Sequence, residues 1–142
     1  MLSSNSSNNL RLFFKNQKIK KVFLISGNNS FYKSGANKIF PKILKEKIVE
    51  FYFKTSNIPD LKELKKIAVL INKFKPDCIL AVGGGAVLDY AKMANVLDLE
   101  KDLENKIKKS ILKIKKKKCK LIAVPTTAGS GAEVTENAVV YV

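Results

Sequence analysis

The chain has 142 residues, 46% hydrophobic and 27% charged, with a net charge of +15 and neither histidine nor tryptophan. That length suits one domain with a sizeable core, not two full domains. The lack of histidine excludes, within this chain, a Ser/His/Asp or Cys/His triad, an imidazole base and a His-bound metal. Chemistry must then rest on glycine backbone, hydroxyls, carboxylates and lysines.

The start, Met1 to Asn9, is rich in Ser and Asn, and residues 1–18 are expected to be a polar, partly disordered lead-in or a short first strand. A domain spanning 19–142 follows. Val22 to Ser26 (VFLIS) is a continuous apolar run closed by Gly27-Asn28-Asn29, the pattern of a buried strand and turn. Phe31, Ile39, Ile43 and Leu44 among lysines predict a helix interrupted or started near Pro41. Ile48 to Phe53 is β-branched and aromatic and reads as a second strand, followed by the turn Ser56 to Asp60, with Asp60 a helix N-cap. Leu61, Leu64, Ile67, Ala68 and Ile71 recur at three- and four-residue steps and predict an amphipathic helix ending before Pro76. Cys78 to Val82 (CILAV) is the third strand, and Ala86 to Leu97 a largely apolar, buried helix. Residues 98–118 read as one basic helix with Leu99, Leu103, Ile107, Ile111 and Ile114 on one side. Leu121 to Val124 is a fourth strand, and Ala138 to Val142 is apolar and β-prone. Strands alternating with helices imply an α/β fold, a Rossmann-like parallel sheet with helices on both faces. Ligands bind such sheets where strand carboxyl ends meet helix N-termini.

Of the 27 basic residues only Arg11 is arginine, and residues 101–120 carry ten lysines against Asp102 and Glu104. Arginine is the usual reader of bases, so a lysine domain would grip nucleic-acid backbone only. A composition in which lysine fills every solvated face is the simpler account. Cys78 and Cys119 match no metal spacing and read as buried free thiols of a reducing, cytoplasmic protein. No segment approaches a membrane span.

Two segments carry chemistry. Gly83-Gly84-Gly85 joins a strand to a helix, where free N–H groups and the helix dipole favour a phosphate. It matches neither the Walker A nor the GxGxxG spacing, and a glycine-permitted turn is the plain alternative. Asp89 is expected in the first turn of that helix, as a ribose acceptor or as an ion pair with Lys92. The second segment, Pro125 to Thr135, crowds Thr126, Thr127, Ser130 and Thr135 with Gly129 and Gly131 at the end of the fourth strand. It reads as sugar and phosphate contacts, or as a capping loop with Ser130 and Glu133 at capping-box spacing.

At these residues the sequence resembles the iron-containing (group III) alcohol dehydrogenases. GGGAVLDYAK, 83–92, is similar to their GGGSxxDxAK block, and PTTAGSGAEVT, 125–135, to PTTAGTGSEVT. The resemblance runs from Lys20 to Val142. It implies an N-terminal nucleotide-binding α/β domain, followed in the family by a helical domain, and hydride transfer between NAD(P) and an alcohol or aldehyde. It also implies that Gly83, Gly84, Gly85 and the Ala86 N–H receive the pyrophosphate. Asp89 would support the nicotinamide-side ribose, and Thr126 and Thr127 the adenosine and phosphate side. Ser130 would lie in the same contact, Thr135 near the nicotinamide, and Asn57 beside the adenine ribose. Ala86 and Ala132 stand where the family usually has serine. Gly27 stands where NAD-preferring members place an aspartate. With Ser26, Asn28 and Lys33 nearby, this leans the expected cofactor toward NADP.

The family's divalent metal, iron or zinc, takes one aspartate and three histidines from the helical domain, which this chain lacks. The chain is therefore expected to hold a dinucleotide but no metal, and to be a truncated or split member, inactive alone. Its expected partners are the helical domain, in the same or a separate chain, and a second copy of itself, with no membrane and nucleic acid disfavoured. Two alternatives stand beside this: a basic domain binding nucleic acid or an anionic surface, and a non-functional remnant.

Overall fold

The computed structural model describes residues 4–114, 116–127 and 141. Among them the elements run α1 (Ser4–Asn16), β1 (Lys21–Gly27), α2 (Asn28–Lys33), α3 (Ala36–Ile43), β2 (Ile48–Lys54), α4 (Leu61–Phe74), β3 (Cys78–Gly83), α5 (Gly85–Val96), α6 (Leu103–Lys108) and β4 (Lys120–Pro125). The four strands form one parallel sheet in the order β2-β1-β3-β4. The α/β expectation, with helices on both faces, holds.

The inner strands are continuously apolar because both their faces are covered. Phe23, Ile25, Ile79 and Ala81 pack with Leu64, Ile67 and Ile71 of α4 and with Val87, Leu88 and Ala91 of α5. The alternate residues, Val22, Leu24, Leu80 and Val82, pack with Phe14 of α1 and with Phe40 and Ile43 of α3. The edge strands are more open: Phe51 is exposed, and β4 is half-buried along its middle.

Three expectations are corrected. Residues 4–16 are a helix, neither a strand nor a disordered lead-in, because helical spacing puts Leu10 and Phe14 on one side. Phe14, 1% exposed, docks against α3, and Arg11 Nη2 donates to the Lys42 carbonyl at 3.3 Å. Tertiary packing overrides the poor helix propensity of Ser and Asn. The break in residues 31–47 falls at Gly35, whose φ of 77° only glycine adopts freely, and Pro41 lies inside α3.

The third correction concerns 98–118, where among the described residues only Leu103–Lys108 is helical. Asp102 and Ser110 flank it with left-handed φ of 65° and 54°, and Ile111 and Ile114 are exposed. Only Leu103 and Ile107 of the stripe reach the core, Leu99, Ile111 and Ile114 find no surface to bury against, and neighbouring lysines repel one another. The amphipathic helix on which an anionic-surface reading rested is absent among the described residues.

Asn95, 1% exposed, ties the far end of α5 to the start of β4. Its Nδ2 donates to the Cys119 carbonyl at 3.0 Å, its Oδ1 accepts from the Cys119 N–H at 3.1 Å, and its carbonyl accepts from the Lys118 N–H at 2.8 Å. Lys118 Nζ also donates to the Ala94 and Leu97 carbonyls, as a cation at a helix C-terminus should. Burial pushes the Cys78 thiol up to about 12 and that of half-buried Cys119 to about 11, so neither is a nucleophile at neutral pH.

Candidate functional site

Strand pairing brings four carboxyl ends to one edge. Gly27 faces Lys54 across β1 and β2, Ser26 faces Val82, and Gly83 faces Pro125. The turn from β3 into α5 is tight. Gly84 caps the helix in extended conformation (φ −82°, ψ −174°), and its carbonyl takes the Val87 N–H at 3.0 Å and the Leu88 N–H at 3.2 Å. Helix geometry leaves the Gly85 and Ala86 N–H groups without an intrahelical acceptor, and they open on this edge.

The glycines answer to space more than to dihedral angle. A Cβ on Gly83 would lie 2.6 Å from Val87 Cγ2, so α5 can press onto the strand end only over glycine. A Cβ on Gly84 would lie 3.2 Å from Thr127 Oγ1. A Cβ on Gly27 would meet Ser30 Oγ at 2.9 Å and Val87 Cγ2 at 3.9 Å. Val87 thus wedges between the ends of β1 and β3. The second segment is joined to the first by its backbone, the Thr126 N–H donating to the Gly83 carbonyl at 3.0 Å. Thr126 Oγ1 is buried and has no hydrogen-bond partner among the described residues. Thr126 also lines a cleft of about 530 Å³ between α3 and the ends of β3 and β4, with Ser34, Phe40, Val82, Val124 and Pro125. A larger hollow of about 1240 Å³ lies along β4 and α5 and includes none of the expected site residues.

Of the expected residues, Gly27, Gly83, Gly84, Gly85, Ala86, Thr126 and Thr127 converge on this edge. Asn57 is exposed in the loop after β2, at the same edge. Asp89 is half-buried and is the fifth residue of α5, one residue deeper than expected and just past the first turn. Ser26 is corrected: it is fully buried and its hydroxyl donates to the Val82 carbonyl, so it has no proton to offer a phosphate. Ser130 and Thr135 lie outside the described residues, as do Gly129, Gly131, Ala132 and Glu133. Of Ala138 to Val142 only Tyr141 is described, and it bridges to Asp60 in parallel.

Sequence reasoning missed two residues. Lys54 brings its Cε within 3.8 Å of the space beside Gly27, a juxtaposition that only the strand order reveals. Glu63, in the first turn of α4, is buried and accepts from the Thr55 and Ser56 N–H groups at 2.6 and 3.0 Å. It also accepts from the hydroxyls of Thr55 at 3.1 Å and of Tyr52 and Tyr90 at 3.0 Å each. Burial alone would raise its carboxyl, but the Thr55 and Ser56 N–H groups, then Tyr90 and Tyr52, outweigh that and hold it at about 2. Burial, with Glu63 adding to it, pushes both tyrosine hydroxyls above their ordinary range. Asp60 caps α4, accepting the Glu63 N–H at 2.8 Å.

Among the described residues no three His, Cys, Asp or Glu side chains gather as a metal would need, so these residues do not fit the family's metal. The glycine turn and the orphaned Thr126 hydroxyl do fit an anionic nucleotide.

The family model for iron-containing alcohol dehydrogenase matches residues 1–142. Aldehyde-alcohol dehydrogenase 2 of Entamoeba histolytica is 28% identical over 92% of this chain and 17% of its own length. The NADPH-dependent butanol dehydrogenase of Clostridium saccharobutylicum is 32% identical over 89% of the chain and 34% of its own length. Among solved structures, an iron-containing alcohol dehydrogenase from Thermotoga maritima aligns with a TM-score of 0.73 at 27% identity, covering 94% of this chain and 36% of that one. The sulfoacetaldehyde reductase of Bifidobacterium kashiwanohense in complex with NAD+ shares the fold at a TM-score of 0.79 and 23% identity, over 94% of this chain and 35% of that one. The chain spans about a third of the length of these solved structures and, at most, of these curated relatives. By its match over all 142 residues, the chain belongs to the iron-containing alcohol dehydrogenase family.

Proposed function

We propose that this chain is the dinucleotide-binding part of a metal-dependent alcohol dehydrogenase, one that moves a hydride between NAD(P) and an alcohol or aldehyde. The observation that carries the reading is the hydrogen bond from the Thr126 N–H to the Gly83 carbonyl, 3.0 Å. It fastens the threonine segment to the glycine turn at the N-terminus of a twelve-residue helix. In this reading the Gly85 and Ala86 N–H groups and the α5 dipole take the pyrophosphate. Thr126 and Thr127 donate to phosphate or ribose oxygens, with Ser130 in the same segment and Thr135 toward the nicotinamide. Asn57 borders the adenine ribose, and Asp89 stabilises the loop from behind. The cofactor, when bound, supplies or accepts the hydride.

NADP is favoured over NAD. Gly27 puts no carboxylate against a 2′-phosphate, and the Lys54 stem runs beside it. The same reading makes the protein cytoplasmic, with its helical domain and a second copy as partners and no turnover from these residues alone.

Calorimetric titration with NADP+, NAD+ and ADP-ribose tests it. Saturable binding, tighter for NADP+, is expected. No binding of any of the three removes the nucleotide reading, and a clear NAD+ preference removes the role given to Gly27 and Lys54. Dehydrogenase turnover by the purified chain would overturn the division of labour.

A further inference from the structure

In the loop from Thr55 to Asp60 one buried carboxylate takes most of the bonds, beside Lys54 Nζ, which donates to the Ser56 carbonyl at 2.7 Å, and the Ser56 hydroxyl, which donates to Asp60. Glu63 shares the first turn of α4 with apolar Leu61 and Leu64. A buried carboxylate is costly unless its lone pairs are filled. Those of Glu63 are filled by two backbone N–H groups and three hydroxyls, and among the described residues no lysine or arginine forms an ion pair with it. Four of the five donors belong to the end of β2 and the loop after it. The fifth, Tyr90, comes from α5, the helix whose first turn faces the expected phosphate. Tyr90 also accepts the Asp60 N–H at 2.9 Å. One carboxylate therefore sets where the loop bearing Asn57 stands relative to the glycine turn.

We propose that Glu63 is a positioning residue of the nucleotide site, holding the loop that carries Asn57 against α5, the helix that follows the glycine turn. The proposal rests on the nucleotide reading above. It separates the two halves of the ligand: the pyrophosphate is held by α5 whatever the loop does, whereas the adenosine-side ribose is held only while the clamp is intact.

The test is calorimetric titration of the 142-residue chain with ADP-ribose and with inorganic pyrophosphate, for wild type, Glu63→Gln, Asn57→Ala and the double variant. An amide turns two protons toward groups that are themselves donors, so the loop is released with little change of volume. Glu63→Gln is expected to weaken ADP-ribose about tenfold, the worth of one well-placed hydrogen bond, and pyrophosphate less than about twofold. In the Asn57→Ala background it adds nothing, since it acts through Asn57. Should Glu63→Gln not fold, Tyr90→Phe cuts the link to α5 alone and is expected to show the same pattern at about threefold.

A variant that melts lower yet binds ADP-ribose like wild type overturns the proposal and leaves Glu63 a stabilising residue only. Equal weakening of both ligands, or multiplying effects in the double variant, also overturns it. A wild-type chain that binds neither ligand removes the nucleotide reading and this proposal with it. One that binds pyrophosphate but gains nothing from the adenosine half removes the proposal alone.

Discussion

The turn after β2 and the turn after β3 end at the same edge of the sheet and are built in opposite ways. In the first, Glu63, Asp60, Tyr52 and Tyr90 occupy the polar groups of the loop, down to the Thr55, Ser56 and Asp60 N–H groups. In the second, three glycines turn the chain with little more than backbone bonds, from Val87 and Leu88 to Gly84 and from Thr126 to Gly83. A loop whose donors are spent holds a position, and a turn whose donors are unspent holds a ligand. Damage to the first should therefore appear as lost stability together with a weaker grip on the adenosine half, damage to the second as lost binding at little cost in stability.

The largest effect is expected from Glu63→Ala. It strands five buried or half-buried donors at once and should cost about 3 kcal/mol, read as a lower urea midpoint at unchanged slope. Acid should reach the same group. Its carboxyl is held at about 2 against 4.5 unfolded, so its contribution is full above pH 4.5 and lost as pH falls toward 2. Wild type should lose up to about 3 kcal/mol across that window from this group, and Glu63→Gln should lack that part of the slope. At the other end, stability tied to the Tyr52 and Tyr90 hydroxyls falls as pH rises above 10, where the unfolded hydroxyls ionise first.

Gly83→Ala sits between the two classes. Its Cβ would meet Val87 at 2.6 Å, and overpacking of that kind costs about 1–3 kcal/mol. Val87→Ala in the same chain should relieve the clash, and a double variant no better than Gly83→Ala would show that the glycine serves something else. Gly84→Ala should be the clean case for the bare turn: a 3.2 Å approach to Thr127 Oγ1 yields to a side-chain rotation, leaving stability within about 0.5 kcal/mol. Binding of NADP+ should nevertheless fall about tenfold as the methyl and the displaced Thr127 crowd the anion. Equal losses in stability and binding at Gly84 would erase the contrast.

How much of this was legible in the sequence depends on how far each residue reaches. VFLIS and CILAV declare themselves as inner strands because a strand covered on both faces has no polar position to break the run. Asp60 could be named as an N-cap because capping is settled within four residues. The glycine turn and its threonine partner could be placed at one edge because parallel strands point the same way. Glu63 was invisible for the opposite reason: its partners come from β2, the loop and α5, and nothing local distinguishes it from a solvated glutamate. Lys54 depends on strand order, and Ser26 on the depth of the edge. The stripe from Leu99 to Ile114 has genuine helical spacing, yet spacing alone supplies no surface for its outer members, and only Leu103 and Ile107 reach the core. Leu10 and Phe14 were outweighed by the serines and asparagines around them.

The Asn95 clasp has a consequence for the most charged part of the chain. α5 is pinned to the start of β4 at Asn95 and Cys119, and β3 to its end where Thr126 meets Gly83, so the three should open as one unit in hydrogen exchange. Residues 98–117, bridged by the Asn95–Cys119 clasp, are an excursion whose ends are held for it, and among its described residues only Leu103 is buried. Doubling such a loop adds only about 0.6 kcal/mol of closure entropy. Its length and lysine content are therefore the properties of this chain most free to drift, by insertion, deletion or composition, without the nucleotide edge registering the change.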